Sequence, residues 1–285
     1  MDGVIFLNKE VDITSRDACD KVSRILKTKK VGHAGTLDPF ATGLLMVLVN
    51  KATRCSMFFD DLSKGYIATI TLGEERDSSD PEGKVINTQE VPSFSKFEIE
   101  KVLNSFLGKQ LQTPPMTSAI HVNGRKLYEL ARKGIEIDRP AREIEIYKIK
   151  LLDYSDNKIT FYTHVSKGTY IRVLGSDIAK KLGTIGYLTT LIRSEVGPFK
   201  LEDALDINEV NENKIIPTFE VLNRFCEVKK VDTKLATDIK NGKIKKMTCH
   251  SDKHYLLITE GNNDLVAMYI KIENNQYEFR KGLFA

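Results

Sequence analysis

The chain has 285 residues, 41% of them hydrophobic and 29% charged, with a formal net charge of +4. A chain of this length buries most of its unfolded surface, so folding requires neither disulfides nor a metal. The longest apolar run, LLMVLV at 44–49, is too short to span a membrane, and no basic start or long apolar region indicates a signal peptide. We therefore expect a cytoplasmic protein of one large domain or two unequal domains, with no membrane partner.

The N-terminal part predicts strands and helices in an irregular order. GVIFL at 3–7 indicates a buried strand, and a helix capped by Thr14 or Ser15 follows it. The apolar face predicted for that helix comprises Ala18, Val22, Ile25 and Leu26. Beyond a glycine-rich loop we expect a strand at 44–49, a short helix near 51–59 and an alternating strand in KGYIATITLG.

The next elements follow the same mixed pattern. ERDSSDPEGKV predicts a turn between two strands, and Ser95 with Glu98 forms a capping box that starts a helix. A segment beginning QTPP starts extended and is predicted helical near Lys126. There follow strands near 143–154 and 158–165, a helix closed by Gly183, a strand in YLTTLIRSEVG and a helix near 217–224.

Beyond about residue 226 the composition shifts to short strands and Asn/Gly turns. With no regular βαβ alternation, the pattern predicts an α+β fold. Its central sheet is mixed and largely antiparallel with flanking helices, and a small β-rich domain follows. We place the two domains at 1–225 and 226–285. Eleven lysines and arginines stand against eight acids after Cys226, notably in KNGKIKKM at 240–247. This run is either a solvated face or a phosphate-binding edge.

No motif indicates a cofactor or a metal. The chain contains neither GxxxxGK[ST] nor GxGxxG, and its four cysteines form no CxxC pair, so we expect them to be reduced. His250 and His254 are four residues apart but lack supporting ligands, and DSSD at 77–80 lacks the spacing of a calcium loop. We expect a protein that works without metal or cofactor.

The loop VGHAGTLDPFATG at 31–43 surrounds one acid, Asp38, with three glycines and a proline. Asp38 before a proline is typical of a turn, yet a carboxylate on a rigid loop also suits a nucleophile or base, and glycines allow a ligand to approach the backbone. Arg172 in SKGTYIR is the best distant charge partner, although an arginine at such a position is more often a surface helix residue. Tyr66 is either a core residue or an aromatic stacking platform.

These segments resemble the TruB family of bacterial-type tRNA pseudouridine synthases. GHAGTLDPFATGLL is similar to the family's catalytic motif. The likeness continues over nearly the whole chain, in order, through GVIFLNKEVDITS, KGYIATITLGEERDSSDPEG, QTPPMTSAIHVNGRKLYELARKGIEI, SKGTYIRVLGSDIAKKLG, YLTTLIRSEVGPF and LITEGNNDLVAMYIKIENNQYEFRKGLF. Each motif alone is moderately specific, but their common order makes a chance match improbable.

The resemblance implies a pseudouridine synthase fold with a PUA-like RNA-binding domain at 226–285 and an RNA-gripping insertion at about 112–141. It implies a monomeric isomerase that converts a flipped-out uridine in the T-loop of tRNA, conventionally numbered 55, to pseudouridine without a cofactor; DNA is not an expected partner. Asp38 would be the nucleophile and Arg172 its ion-pair partner, while Tyr66 would stack on the base and assist removal of the C5 proton. Substrate-binding roles would fall to His33, Leu191, Arg54, Lys64 and Lys167.

The chain also departs from the family's pattern. Glu10 and Asp12 stand where the first motif commonly has proline and glycine, and Thr117 and His121 stand where tyrosine and lysine are usual. We expect a differently shaped first loop and one altered RNA contact. Two alternatives stay open: a synthase that works inside a guide-RNA complex, and an RNA-binding or RNA-folding factor that needs no chemistry.

Overall fold

The computed structural model describes residues 2–118, 135, 137–273 and 275–283, and the backbone of 121–122 and 125–126. Its strands are β1 (Gly3–Lys9), β2 (Val31–Ala34), β3 (Thr42–Val49), β4 (Lys64–Leu72), β5 (Glu74–Arg76), β6 (Val85–Thr88), β7 (Gly108–Gln112), β8 (His121–Val122), β9 (Arg125–Lys126), β10 (Arg142–Ser155), β11 (Lys158–Val165), β12 (Gly186–Val196), β13 (Phe199–Lys200), β14 (Ile216–Pro217), β15 (Glu227–Val231), β16 (Lys246–Thr248), β17 (Tyr255–Glu260), β18 (Asp264–Lys271) and β19 (Gln276–Gly282). The α-helices are α1 (Ser15–Ile25), α2 (Ser56–Asp60), α3 (Lys96–Asn104), α4 (Ile171–Lys181), α5 (Thr218–Asn223) and α6 (Thr233–Lys240).

The larger sheet follows the strand order β14-β1-β3-β12-β4-β11-β10-β7, with β2 added to β3 and β13 to β12. The pairing of β3 with β12 is parallel, and the other pairings named in this sheet are antiparallel. This arrangement confirms the prediction of a mixed, largely antiparallel central sheet. It also places β12 between β3 and β4, although β12 lies far from both of them in the chain.

Two apolar layers cover the larger sheet. On one face, side chains of β4 and β11 pack with helices α1, α3 and α4, for example Ala68 and Ile70 with Val22, Ile99 and Leu174. On the other face, β1 and β3 pack against α2 and against the smaller sheet. Helices α1 and α3 begin where the sequence predicts, because Thr14 and Ser95 each close a capping box.

The smaller sheet has the order β15-β17-β18-β19-β16 and packs directly onto the larger one. Tyr255 of β17 lies edge-on to Phe58 of α2, with ring centroids 5.3 Å apart. The Tyr255 hydroxyl also donates a hydrogen bond to Asp61. The two sheets therefore share an apolar cluster, and a cut after residue 225 would expose it.

The structure departs from the sequence predictions at Ile25, at helix α6 and near Lys126. Ile25, predicted on the buried face of α1, is 42% exposed, because it lies at the rim of a stripe centred on Ser15 and Val22. Helix α6 was not predicted; Asp232 caps it by accepting from the Leu235 N–H at 2.7 Å, but only two turns carry the helical period. At Lys126, where the sequence predicts a helix, the described backbone instead forms strand β9, paired with β8; the rest of that prediction lies outside the described residues. No helix among the described parts of the chain is long and apolar enough to cross a membrane.

Candidate active site

Asp38 starts a tight turn between β2 and β3. Its carbonyl oxygen accepts from the Ala41 N–H at 3.1 Å, with Pro39 at the second position, as a β-turn favours. The buried ammonium of Lys9 braces the turn from below by donating to the Pro39 carbonyl at 3.1 Å, and to two carbonyls of the first loop. Burial lowers the pKa of Lys9 to about 8, against the opposing effect of Asp38. The carboxylate is thus carried by a rigid turn.

The structure brings Arg172 to Asp38. Arg172 is the second residue of α4, and its Nε lies 2.9 Å from Oδ2 of Asp38 while Nη2 lies 3.4 Å from Oδ1. The arginine side chain is 4% exposed, so it is not the surface arginine that its sequence also allowed, whereas the Asp38 side chain is 34% exposed. Burial raises the pKa of Asp38, and the Arg172 guanidinium opposes this rise. The pair therefore presents an oriented carboxylate that stays open on one side.

A second carboxylate, Asp80, shares the same guanidinium. Its Oδ2 lies 3.0 Å from Nη1 of Arg172, and its side chain is 4% exposed. Asp80 belongs to the hairpin between β5 and β6, so the predicted turn is confirmed, but its contact with Arg172 was missed by sequence reasoning. The available signal was the repeated Asp-Pro pair, because Pro81 follows Asp80 as Pro39 follows Asp38.

Tyr66 lies beside a buried arginine that the sequence analysis also missed. Tyr66 of β4 is paired in register with Arg193 of β12, so the two residues are direct neighbours across the strands. Burial raises the pKa of the Tyr66 phenol, and Arg193 opposes that rise. The guanidinium of Arg193 also donates to the carbonyls of Leu44 at 2.8 Å and Gly35 at 2.9 Å. The sequence signal for Arg193 was a charged residue on the buried side of β12, because Arg193 comes two positions after the apolar Leu191.

Arg193 also explains why two of the three glycine positions in the loop have no room for a side chain. A Cβ on Gly35, whose φ is +69°, would lie 3.1 Å from Nη1 of Arg193, and a Cβ on Gly43 would lie 2.5 Å from the Arg193 carbonyl oxygen. At Gly32 the nearest atom, in Thr53, is 3.6 Å away, so a side chain fits there. Close approach of glycine backbone does occur in this loop, but at Gly35 and Gly43 it is Arg193 that approaches.

The remaining predicted site residues lie at different distances from this centre. Leu191 is buried in the same cluster as Tyr66, whereas Arg54 lies in the last turn of a 3-10 helix, Asn50–Cys55. His33 lies in β2; its Nδ1 is buried and makes no hydrogen bond within the described structure. Burial lowers the pKa of the His33 imidazole.

Lys64 and Lys167 lie around the end of α2 rather than beside Asp38. The Lys64 ammonium donates to the carbonyls of Asp60 and Leu62, and burial lowers its pKa to about 8. Lys167 is exposed and forms a 2.7 Å ion pair with Asp61. The buried lysine is therefore held by the protein itself, and the exposed one has an acidic partner.

The residues that depart from the family's pattern occupy defined places. Asp12 adopts φ +63°, the left-handed region that glycine favours, and Glu10 forms a 2.7 Å ion pair with Lys21. Thr117 contacts Arg172 directly through its hydroxyl. The side chain of His121 lies outside the described residues. Within the described ranges, no group of three or more His, Cys, Asp or Glu side chains is arranged to hold a metal ion.

Comparison with known proteins places this geometry in context. A family model described as "TruB family pseudouridylate synthase (N terminal domain)" matches residues 23–171. Proteins named "tRNA pseudouridine synthase B" match over most of the chain. The one from Fusobacterium nucleatum is 40% identical over 97% of this chain and 91% of its own length. The one from Geobacillus thermodenitrificans is 38% identical over 95% of each chain.

Solved structures show the same fold. A structure described as "Crystal Structure of a Cbf5-Nop10-Gar1 Complex" superposes with a TM-score of 0.74 at 23% identity, covering 99% of this chain and 85% of the other. A structure of an "H/ACA RNP bound to a substrate RNA containing 2'-deoxyuridine" gives a TM-score of 0.71 at 21% identity, with coverage of 99% and 85%. At these identities the likeness concerns the fold, including the smaller C-terminal β domain.

Proposed function

Because this chain belongs to the TruB family of pseudouridylate synthases, we propose that it isomerises a uridine in the T-loop of tRNA to pseudouridine. The observation that carries the proposal is the ion pair of Asp38 with Arg172, at 2.9 Å, on a turn that leaves the carboxylate open to solvent. In this proposal the enzyme is a cytoplasmic monomer and needs no cofactor. Its catalytic domain spans 1–225, and residues 226–285 form a PUA-like RNA-binding domain.

The reaction requires one bond to break and another to form at the same sugar carbon. The N1–C1′ bond breaks, the base rotates, and a C5–C1′ bond forms while C5 loses its proton and N1 gains one. Asp38 acts as the nucleophile or base that opens this sequence, and it must be ionised to do so. Arg172 favours that ionised form because its guanidinium opposes the effect of burial on the Asp38 pKa.

The target uridine must leave its stack before it reaches Asp38. Unstacking costs a few kcal/mol, and stacking on an aromatic ring returns about 1–3 kcal/mol per base. Tyr66 supplies that ring, beside Arg193 on the neighbouring strand, and Leu191 supplies an apolar wall. We assign His33 to holding the opened loop, and Arg54 and Lys167 to contacts with the RNA; Lys64, predicted as a further contact, is buried and bonded to the carbonyls of Asp60 and Leu62 instead.

Release of tritium from 5-tritiated uridine in an unmodified T-arm stem-loop tests this proposal directly. The purified protein should release tritium without guide RNA, and Asp38→Asn should abolish release while RNA binding in a filter assay persists. Asp153→Asn, an exposed acid on β10, is the matched control and should keep full activity.

Three results would contradict the proposal. Release by Asp38→Asn would remove Asp38 from the chemistry. Conversion only with an added guide RNA would favour the guide-dependent alternative, and RNA binding with no conversion under either condition would favour a folding factor.

A further inference from the structure

The segment 112–118, where the insertion leaves β7, is fastened to the N-terminal turn of α4. Gln112 is 6% exposed, and its side-chain amide makes two hydrogen bonds with the backbone of Tyr170. Nε2 donates to the Tyr170 carbonyl at 3.1 Å, and Oε1 accepts from the Tyr170 N–H at 2.8 Å. This two-way exchange reproduces the pairing of neighbouring antiparallel strands with a side chain in place of a strand.

Tyr170 is the residue immediately before α4 and has no side-chain cap of its own. The first turn of a helix lacks internal partners for its N–H groups, so it frays unless neighbouring groups hold it. Gln112 supplies that support from another part of the chain. Arg172 lies two residues further on, so the position of its Cα depends on this turn.

Thr117 contacts the guanidinium end of the Arg172 side chain. Its hydroxyl accepts from Nη1 of Arg172 at 2.6 Å, and its carbonyl oxygen accepts from Nη2 at 2.9 Å. The remaining acceptors of the guanidinium are the two carboxylates, Asp38 and Asp80, and the Ser78 carbonyl. Thr117 therefore holds the guanidinium of Arg172, while Gln112 holds the backbone of Tyr170, two residues before Arg172.

We propose that segment 112–118 is a splint that positions Arg172 against Asp38, with Gln112 and Thr117 as positioning residues. The inference rests on the proposed function and gives the first residues of the RNA-gripping insertion an additional role, the positioning of Arg172. A guanidinium forms its bidentate contact only in one orientation, so a small rotation of Arg172 weakens both contacts with Asp38. Neither positioning residue is placed to touch the reacting atoms.

Substitutions that keep shape and remove the contacts test the splint. Thr117→Val and Gln112→Met should lower the single-turnover rate at saturating T-arm RNA about tenfold or more, since small misplacements in an active site carry large rate penalties. RNA affinity and the thermal midpoint should stay close to wild type for Thr117→Val, because Nη1 retains the Ser78 carbonyl and Asp80. Thr117→Ser keeps the hydroxyl and should restore the rate.

Gln110→Met is the matched control for Gln112→Met. Gln110 lies on the same strand, but its amide donates to the Phe106 carbonyl at 2.7 Å and makes none of the described contacts with α4. Full activity is expected of this control. Unchanged rates in both Thr117→Val and Gln112→Met, or a loss confined to RNA affinity, would overturn the splint.

The pKa of Asp38 separates positioning from a merely structural role. Arg172 lowers that pKa, so weaker positioning should raise it and move the ascending limb of the pH–rate profile to higher pH. The same shift should appear without RNA in a carbon-13 titration of the Asp38 carboxylate, identified by its loss in Asp38→Asn. This readout holds even if the T-arm is not the substrate, so failure of the proposed function and failure of the splint are distinguishable. An unshifted titration in Thr117→Val would contradict the inference.

Discussion

Gly43→Ala should unfold the active site more strongly than its small size suggests. Gly43 adopts φ +99° and faces Arg193 in the parallel pairing of β3 with β12. An added Cβ would lie 2.5 Å from the Arg193 carbonyl oxygen and 2.9 Å from its nitrogen. Both atoms belong to the backbone of a central strand, so neither can move without shifting β12.

The magnitude follows from two costs. A non-glycine residue in a sparsely populated backbone region costs about 1–3 kcal/mol, and overpacking in a close-packed core adds about 1–3 kcal/mol. We expect Gly43→Ala to lower the free energy of unfolding by about 3 kcal/mol or more. Because Arg193 is the cross-strand neighbour of Tyr66, a shift of β12 should also lower the activity of the folded fraction.

Gly32→Ala is the matched control in the same loop region. Gly32 lies in β2 with no positive φ, and its nearest neighbour would be 3.6 Å from the new Cβ. Alanine in a strand avoids the entropic cost of glycine, so we expect a change within about 1 kcal/mol. Urea unfolding followed by circular dichroism measures both variants, and a difference of less than about 1 kcal/mol between them would refute the reasoning.

Three further predictions concern charge. In Asp80→Asn the pKa of Asp38 should fall, because the Asp80 charge raises it; the ascending limb of the single-turnover pH profile should move to lower pH, and a shift to higher pH would contradict this. In Arg193→Met the pKa of the Tyr66 phenol should rise, because Arg193 lowers it. Tritium release should then require higher pH, and the pH dependence should not move when Arg193→Met is made in a Tyr66→Phe background. Lys246→Gln, an exposed change on β16, should reduce the salt slope of RNA binding by about 0.7–0.9 if this lysine contacts phosphate, whereas an equal slope returns it to a solvated face.

The C-terminal charges are better tested by substitution than by deletion. Removing residues 226–285 would uncover Phe58, whose partner Tyr255 lies across the contact between the two sheets. Loss of RNA binding after such a deletion would report an exposed core as readily as a lost phosphate contact. Single lysine changes on the surface avoid this ambiguity.

Local sequence determined the elements and the residue types of the site. Capping boxes at Thr14 and Ser95 set two helix starts, because the signals lie within one turn of chain. Asp38 before Pro39 determined a turn that carries a carboxylate, and the ordered motifs led to the family. Arg172 was the right partner to name, since an always-charged fork suits a carboxylate.

Only the tertiary structure decided what surrounds those residues. Asp80 and Thr117 reach Arg172 from segments 92 and 55 positions away, and Arg193 reaches Gly35 from 158 positions away. The Arg193 contact depends on the pairing of β3 with β12, and the Arg172 contacts depend on how the segments of Asp80 and Thr117 lie against α4; no local period encodes either arrangement. The same holds for the glycines: the sequence suggested that they let a ligand approach the loop backbone, but at Gly35 and Gly43 the neighbour that approaches is a buried arginine, which is determined by how distant strands pack.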